Sequence, residues 1–423
     1  MTTPRGTSNV GLHAMTRSLS HALRSVSAHL PAELRRVLRA VWSAARGNRR
    51  LLEWLRRRTE RRSDAVALPN LPEAKIEAVG RADVKGIEPT AWPENVVAAF
   101  PHWPLHAEYQ AACDRALLDL ELVGNFRLFS AEVPTVVCVA RNEEEKIDAF
   151  IRHYEKLGAR SIHLIDNGSS DNTAKLAVRY PCVTLWRTSG SYADSAYGQM
   201  WVGGLVRMYG LGNWVVNVDA DEFLVYSKME KHGLADLQAF LARQGQTRML
   251  TPLVDMYSGP EASPAPDAML LTQASYFDDK IFQGRPSYTW RESQFGPMVY
   301  GGPRARLMST IGATEEPCCS KVAIARWDAS TAYANVHFPF PFHENPSSPQ
   351  GALLHFKFIA DFASKVDEAL VTGEHWRNAI EYRRYKEWLD SPGRASLYDA
   401  VSSRLYEDPQ SLINAELMVP LEW

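Results

Sequence analysis

Between about residues 133 and 227, short apolar runs alternate with segments of helical period. The runs at 135–140, 161–166, 183–186 and 214–219 have strand length, and their apolar character is typical of strands covered on both faces. The segments that separate them, at 142–157, 171–178 and about 199–209, have a helical period. This alternation predicts an α/β fold with a mostly parallel sheet, right-handed crossovers and helices on both faces.

The pattern differs on either side of this region. Residues 15–62 are predicted to be helical, because apolar residues recur at helical spacing between arginines: Leu34, Val37, Leu38, Val41 and Trp42. The stretch 107–123 is helix-like. Beyond Thr251, proline, glycine and aromatic residues interrupt the regular spacing, and helices are expected again at 361–373 and 375–390.

Charge is distributed unevenly along the chain. Residues 1–63 contain 14 arginines, no lysine and three acids, a net charge of +11, which leaves −13 for the other 360 residues. An arginine-rich face opposite an apolar stripe suits an anionic lipid surface. Two alternatives are a helix packed on the acidic body of the protein and a disordered basic tail. The sequence therefore predicts a separate basic arm with its own partner.

The cysteines and the hydropathy bear on the compartment. The five cysteines form no CxxC pair, and the adjacent Cys318 and Cys319 are poorly placed to form a disulfide, so a reducing compartment is expected. No run of about 18 apolar residues predicts a membrane span, and the first residues lack the apolar stretch of a secretory signal. We expect a cytoplasmic protein, and contact of residues 1–63 with the inner face of the membrane is one of the alternatives for the basic arm.

Two carboxylates follow the fourth predicted strand. Asp219 and Asp221 are two positions apart on extended chain, so their side chains share a face, and Glu222 is adjacent. Ligands of open α/β sheets bind beyond the carboxyl ends of strands. Two converging carboxylates repel each other unless a cation lies between them, and Mg²⁺ or Mn²⁺ with diphosphate oxygens meets that need. The alternative is an ordinary loop that happens to contain DxD.

Two further polar turns follow the first and second predicted strands. Asp166 ends the second strand, where its carboxylate could accept from the imide N–H of a uracil-like base. Arg141, Asn142 and Glu143 follow the first strand and are candidate contacts to the nucleotide. Both turns also have a purely structural explanation, since Asn, Gly and Ser favour turns and acids favour the first turn of a helix.

Three segments together resemble a known family. In this order, VVCVARNEEEKIDAFIRHYEKLG, HLIDNGSSDNT and NWVVNVDADEFL resemble the nucleotide-binding half of glycosyltransferase family 2. They are more similar to its family 92-like branch, of a bacterial surface-glycan type, which has later patterns similar to residues 300–306, 320–322 and 354–358. The resemblance extends from about Val133 to Trp388.

The resemblance implies a GT-A-type fold and an inverting transfer from a nucleotide-activated sugar. Asp166 matches the position that contacts the base. Asp219 and Asp221 match the metal and ribose motif, and Glu222 belongs to its extended DxDEF form. Asn167 departs from the pattern, since family 2 proteins commonly carry a second acid there, and this leaves the recognition of the base open.

Residues in the second half of the chain complete the candidate site. His355 follows an apolar run and is either a core histidine or the histidine that completes the metal sphere in GT-A enzymes. Arg304, Arg306 and Lys321 could hold the diphosphate, or could pair with surface acids. Asp255 and Asp279 are the candidate general bases, with Asp255 slightly preferred because it ends a strand-like run.

The combined prediction is a metal-dependent, inverting glycosyltransferase of polysaccharide biosynthesis, with Mn²⁺ or Mg²⁺ as its cofactor. The expected donor is a nucleotide sugar, preferably a UDP-sugar, and the expected acceptor is a hydroxyl of a glycan or lipid-linked molecule. Nucleic acid is not an expected partner. The alternatives are a non-catalytic nucleotide-binding or membrane-surface scaffold of a glycan-assembly complex and a sugar nucleotidyltransferase, although the latter would need a glycine-rich phosphate loop that residues 140–143 lack.

This prediction divides the chain into five parts. They are a basic helical arm and linker (1–75), a docking segment whose role the sequence does not define (76–132), a nucleotide-sugar-binding half (133–250), an acceptor half (251–360) and C-terminal helices (361–423).

Overall fold

The computed structural model describes six stretches of the chain: residues 106–260, 270–293, 295–313, 316–333, 335–393 and 396–423. All of them belong to the compact unit Gly86–Trp423. The predicted helices at 15–62, the basic arm and residues 76–105 of the predicted docking segment lie outside the described residues. None of the described helices is long and apolar enough to cross a bilayer.

Helices and strands alternate through the first half of the described chain. The α-helices are α1 (His106–Ala116), α2 (Glu144–Lys156), α3 (Thr173–Ala177), α4 (Gln199–Leu205), α5 (Leu234–Arg243), α6 (Leu270–Gln273), α7 (Gly302–Thr310), α8 (Phe362–Thr372), α9 (Trp376–Leu389) and α10 (Pro409–Asn414). A π-helical turn, Val206–Gly210, continues α4, and 3₁₀ turns form at Leu117–Asp119 and Phe342–Glu344.

The strands are β1 (Glu121–Val123), β2 (Thr135–Ala140), β3 (Ile162–Asp166), β4 (Val183–Arg187), β5 (Trp214–Asn217), β6 (Glu222–Tyr226), β7 (Arg248–Asp255), β8 (Tyr276–Asp278), β9 (Ile281–Phe282), β10 (Arg285–Pro286), β11 (Tyr288–Arg291), β12 (Met298–Gly301), β13 (Ser320–Arg326), β14 (Ala332–Tyr333), β15 (Pro339–Phe340), β16 (Gly351–His355) and β17 (Ser403–Leu405).

Nine of the described strands form one central sheet, in the order β1-β4-β3-β2-β5-β13-β7-β16-β6. Strands β4, β3, β2 and β5 pair in parallel, and so do β7 and β16. Strands β1, β13 and β6 run the other way and pair antiparallel with their neighbours. The predicted α/β class is confirmed, with a mixed and largely parallel sheet. Strands of the predicted nucleotide-sugar-binding and acceptor halves interleave within this sheet.

The four predicted strands and the three predicted helices between them form close to their expected bounds, and the two C-terminal helices form as well. The helix-like stretch 107–123 differs, because its helix ends at Ala116 and its last residues form β1. Strand β1 pairs antiparallel with β4, with Leu122 opposite Trp186. Hydrogen bonding to an open sheet edge therefore prevails over the local helical period.

The two faces of the sheet contribute to two apolar cores. Along β2, Val136 and Cys138 pack into one core, whereas Val137 packs into the other, as expected when successive side chains point to opposite faces. Helices α2, α3 and α5 cover the first face, and α1 and α4 cover the second. Helix α4 approaches α1 closely at Gly203, where a Cβ atom would lie 2.6 Å from the Cys113 sulfur.

Candidate active site

Polar side chains from several strands meet at one edge of the central sheet. Strands β2, β3, β5, β7 and β16 end at this edge, and the oppositely directed β6 and β13 begin at it. In the sheet register, His355 lies between Asp255 on β7 and Glu222 on β6. Lys321, the second residue of β13, reaches Glu222 from 99 positions away in the sequence. Strand pairing therefore assembles the charged residues of this edge.

A cavity of about 620 Å³ opens at the same edge. This volume is within the range of roughly 300–1,000 Å³ that small-molecule sites occupy. Six of the predicted site residues line it: Arg141, Glu143, Asp219, Asp221, Arg304 and His355. The cavity can therefore hold a ligand of nucleotide size beside the predicted metal motif.

The turn between β5 and β6 contains the predicted metal motif. The Asp219 N–H donates to the Glu222 carboxylate at 2.9 Å, and the Glu222 N–H donates to the Asp219 carbonyl at 3.0 Å. The Lys321 ammonium lies 2.6 Å from Glu222 and 3.5 Å from Asp219. Burial raises the pKa of Glu222 to about 7, against the lowering effect of Lys321. Glu222 and Lys321 thus hold the turn, while the Asp219 side chain stays 52% exposed.

His355 lies between two carboxylates. Its Nδ1 is 2.6 Å from Asp255 Oδ1, and its Nε2 is 3.3 Å from Asp221 Oδ2. Burial acts to lower the pKa of His355, but the charges of Asp221 and Asp255 outweigh it and raise the pKa to about 9. Burial acts to raise the pKa of Asp221, but His355 and Lys357 hold it below its usual value.

Asp221 and His355 have the spacing of two ligands of one divalent cation. Ligand atoms bound at about 2.1 Å on neighbouring octahedral positions lie about 3.0 Å apart, close to the 3.3 Å between Nε2 and Oδ2. The described residues contain no group of three or more His, Cys, Asp or Glu side chains placed to hold a metal ion. In nucleotide sites Mg²⁺ usually takes only one or two protein carboxylates and completes its sphere with water and phosphate. A bound ion would replace the proton that His355 shares with Asp221.

Asp255 and Arg304 lie behind His355. The Arg304 Nε donates to Asp255 Oδ2 at 2.8 Å, and its Nη1 lies 3.6 Å from Glu381 on α9. Helix α7, which carries Arg304, follows Gly301, whose φ is +128° and where a Cβ atom would lie 2.1 Å from the Ser287 carbonyl oxygen. The chain can turn from β12 into α7 at this point only because residue 301 is glycine.

The turn after β2 is joined to helix α8. Arg141 Nε and Asn142 Nδ2 both donate to Glu368, at 3.1 and 2.6 Å. Lys365 donates to the Arg141 carbonyl and to Glu143, each at 2.7 Å. Asn142 adopts φ +54°, a left-handed conformation that asparagine tolerates well. Helix α8 thus binds the turn whose three consecutive residues are predicted to contact the nucleotide.

Asp166, the last residue of β3, is buried and does not line the cavity. Its Oδ1 accepts from the Ser169 N–H at 3.1 Å, and its Oδ2 lies 3.5 Å from the half-exposed Arg187. The following residue, Asn167, lines the cavity and donates to the Gly190 carbonyl at 2.9 Å.

Arg306 and Asp279 are not brought to the described cavity wall. Arg306 binds the buried carboxylate of Asp278 through two nitrogens, at 2.7 and 2.8 Å, and donates to the Leu397 carbonyl. Asp279 accepts from Arg404 Nε at 2.7 Å.

The C-terminal helices contribute cavity residues that the sequence did not identify. The His375 ring packs between two tyrosine rings. Its centroid lies 5.7 Å from that of Tyr192 and 4.4 Å from that of Tyr382. The Lys357 ammonium lies 5.2 Å from the centre of the Tyr382 ring, and Glu374 accepts from the Tyr192 N–H. The available signal was the concentration of aromatic and charged residues in EHWRNAIEYRRY, a segment predicted only to be helical.

Comparisons with known proteins give little further information. No protein-family model matches the chain, and no curated protein matches it. Among solved structures it is similar to the mannosyltransferase PcManGT from Pyrobaculum calidifontis in complex with GDP-Man and Mn²⁺, with 12% identity over 81% of each chain and a TM-score of 0.26. A TM-score this low carries no argument about function, so the assignment depends on the site.

Proposed function

We propose that this protein is a metal-dependent, inverting glycosyltransferase that uses a nucleotide-sugar donor and a hydroxyl acceptor. The observation that carries the proposal is the pairing of Asp221 with His355 Nε2 at the edge of a cavity that also exposes Asp219. The carboxylate oxygens suit Mn²⁺ or Mg²⁺, and the His355 imidazole adds a nitrogen donor of the kind that transition metals bind. When bound, such an ion stabilises the negative charge that develops on a diphosphate leaving group.

The chain supplies positive charge to the same region of the cavity. Lys357 lines the cavity beyond His355, and no ion pair joins its ammonium to a carboxylate among the described residues. Burial acts to lower the pKa of Lys357, but Tyr382 and Asp221 raise it above its usual value, so the side chain is a cation at neutral pH. We assign it to the diphosphate, in preference to Arg306, whose guanidinium is occupied by Asp278.

An inverting transfer also needs a carboxylate that removes the proton of the acceptor hydroxyl, and we assign this role to Glu381. It lines the cavity on α9, and its Oε1 accepts from the Tyr385 hydroxyl. Its Oε2 has no hydrogen-bond partner among the described residues. Burial acts to raise the pKa of Glu381, but Arg304 and Lys357 hold it below its usual value, so the carboxylate is ionised and can accept a proton.

Calorimetric titration with UDP and GDP, each with and without Mn²⁺, tests the proposal. Wild-type protein is expected to bind one of them tightly only when Mn²⁺ is present, and Asp221→Asn to lose that dependence because a charged ligand is replaced by an amide. Glu344→Gln is the control, since this carboxylate is also partly buried (27% exposed, against 19% for Asp221) but pairs with Arg248.

A positive result leads to a panel of nucleotide sugars, UDP-sugars and GDP-mannose included, assayed for donor hydrolysis with Mn²⁺. Metal-independent nucleotide binding, or an Asp221→Asn variant with wild-type affinity at every Mn²⁺ concentration, would contradict the proposed site. Metal-dependent binding with no turnover of any donor would instead favour a nucleotide-binding scaffold.

A further inference from the structure

Asp255 is the most enclosed acid of the site. Its side chain is 1% exposed, and both of its oxygens are occupied, one by His355 Nδ1 and one by Arg304 Nε. It does not line the cavity, whereas its neighbour His355 does. A general base needs an oxygen that can reach the acceptor hydroxyl, and Asp255 has none free. Its geometry therefore requires a different role.

Four charged residues form a continuous series from the cavity into the core: Asp221, His355, Asp255 and Arg304. Successive members are 3.3, 2.6 and 2.8 Å apart. In the parallel pairing of β7 with β16, Asp255 and His355 occupy directly opposed positions, so the backbone holds their distance. Arg304 compensates the buried charge of Asp255 and fixes the orientation of its carboxylate.

We propose that Asp255 is a positioning residue that holds His355 in the form protonated at Nδ1, so that Nε2 presents its lone pair beside Asp221 to a divalent cation. The inference depends on the proposed function, because it concerns the same metal site. The reason lies in the donors: Arg304 Nε always carries a hydrogen, so one oxygen of Asp255 must accept from it. The other oxygen accepts only if His355 carries its proton on Nδ1.

Asparagine at this position would reverse the arrangement. An amide has one oxygen, and Arg304 requires it, since a guanidinium offers only donors. The amide nitrogen of Asp255→Asn would then face Nδ1, which must become an acceptor, and the proton of the imidazole would move to Nε2. A protonated Nε2 cannot bind a metal ion.

The test compares Asp255→Asn with Asp278→Asn. Asp278 is a matched control, because it is equally buried and also binds an arginine, Arg306, but does not contact His355. We expect Asp255→Asn to weaken Mn²⁺ affinity in the presence of UDP or GDP by about 10–100-fold, the usual effect of losing such a partner. At saturating Mn²⁺ most of the nucleotide affinity should return. Asp278→Asn should leave Mn²⁺ affinity unchanged even if it lowers stability.

A second measurement does not depend on the folding of any variant at position 255. Wild-type protein labelled with ¹⁵N-histidine, titrated with Mg²⁺ and nucleotide, is expected to show His355 protonated at Nδ1 and unprotonated at Nε2, with His355→Gln assigning the signals. Wild-type Mn²⁺ affinity in a folded Asp255→Asn variant, or an Nε2-protonated His355 in the metal complex, would overturn the inference. Wild-type protein that binds no nucleotide with metal would overturn the proposed function instead.

Discussion

Replacing Lys321 by methionine separates a structural role of this lysine from a role at the diphosphate. The Lys321 and Glu222 side chains are 4% and 3% exposed, and their charged atoms are 2.6 Å apart. Lys321→Met would leave Glu222 buried beside Asp219 without a cation. Breaking a buried pair in this way costs about 3–5 kcal/mol, a large fraction of the roughly 5–15 kcal/mol that stabilises a native protein.

The cost follows from the unpaired carboxylate, so removing the carboxylate should recover part of it. Adding Glu222→Gln to the Lys321→Met variant is expected to restore about 2 kcal/mol of the free energy of unfolding. The amide is neutral, and its oxygen can still accept from the Asp219 N–H. Chemical denaturation followed by circular dichroism would measure all four members of the cycle. Lys280→Met is the control, since it removes an ion pair of similar length, 2.9 Å, from an exposed site and should change stability little.

Two outcomes would refute this reasoning. One is a Lys321→Met variant as stable as the Lys280→Met control, and the other is a double variant whose loss is the sum of the two single losses. The cycle also tests the role at the diphosphate that was inferred from the sequence. If Lys321 contacts the diphosphate, metal-dependent nucleotide affinity should stay low in the double variant even though stability is recovered.

Three further predictions concern the proposed general base Glu381, the contact of Asp166 with the nucleotide base, and the buried His163. Glu381→Gln should lower kcat by roughly 10²–10⁴-fold with unchanged nucleotide affinity, and turnover close to wild type in steady-state assays would exclude it as the base. Asp166→Asn keeps an acceptor for the Ser169 N–H but loses the carboxylate. The KM for the nucleotide-sugar donor should therefore rise more than kcat falls, whereas a pure kcat effect would argue against contact with the nucleotide base. His163 is buried with its pKa lowered to about 3 by burial. Above pH 6.5 it is neutral in both the folded and the unfolded chain, and below that pH the unfolded chain alone takes up the proton. This should cost about 2 kcal/mol of stability at pH 5. His163→Phe should remove that part of the loss between pH 8 and pH 5, and an unchanged pH dependence of the denaturation midpoint would contradict the assignment.

Local patterns were sufficient to predict strands β2 to β5 and the helices between them, and to single out Asp219 and Asp221 as candidate metal ligands. Continuous apolar runs predict buried strands because hydrophobic periodicity is a property of neighbouring residues, and β2 to β5 form close to the expected positions. Asp219 and Asp221 were identified because they follow such a strand, and this position alone directs them to the edge where ligands bind. The switch from helix to strand at Glu121–Val123 was not predicted, because it depends on the exposed edge of β4.

The surroundings of the motif depend on contacts between residues far apart in the chain. Asp255 and Asp279 were both candidate bases, with Asp255 slightly preferred, yet one is enclosed between His355 and Arg304 and the other pairs with Arg404. Likewise Arg304 reaches the site whereas Arg306, two positions later on the same helix, binds Asp278. Strand order and burial decide such differences, because the partner of a charged side chain is set by which strands and helices pack together. Local sequence patterns therefore identified candidate residues, and the pairing of β13, β7, β16 and β6 determines which of them lie together.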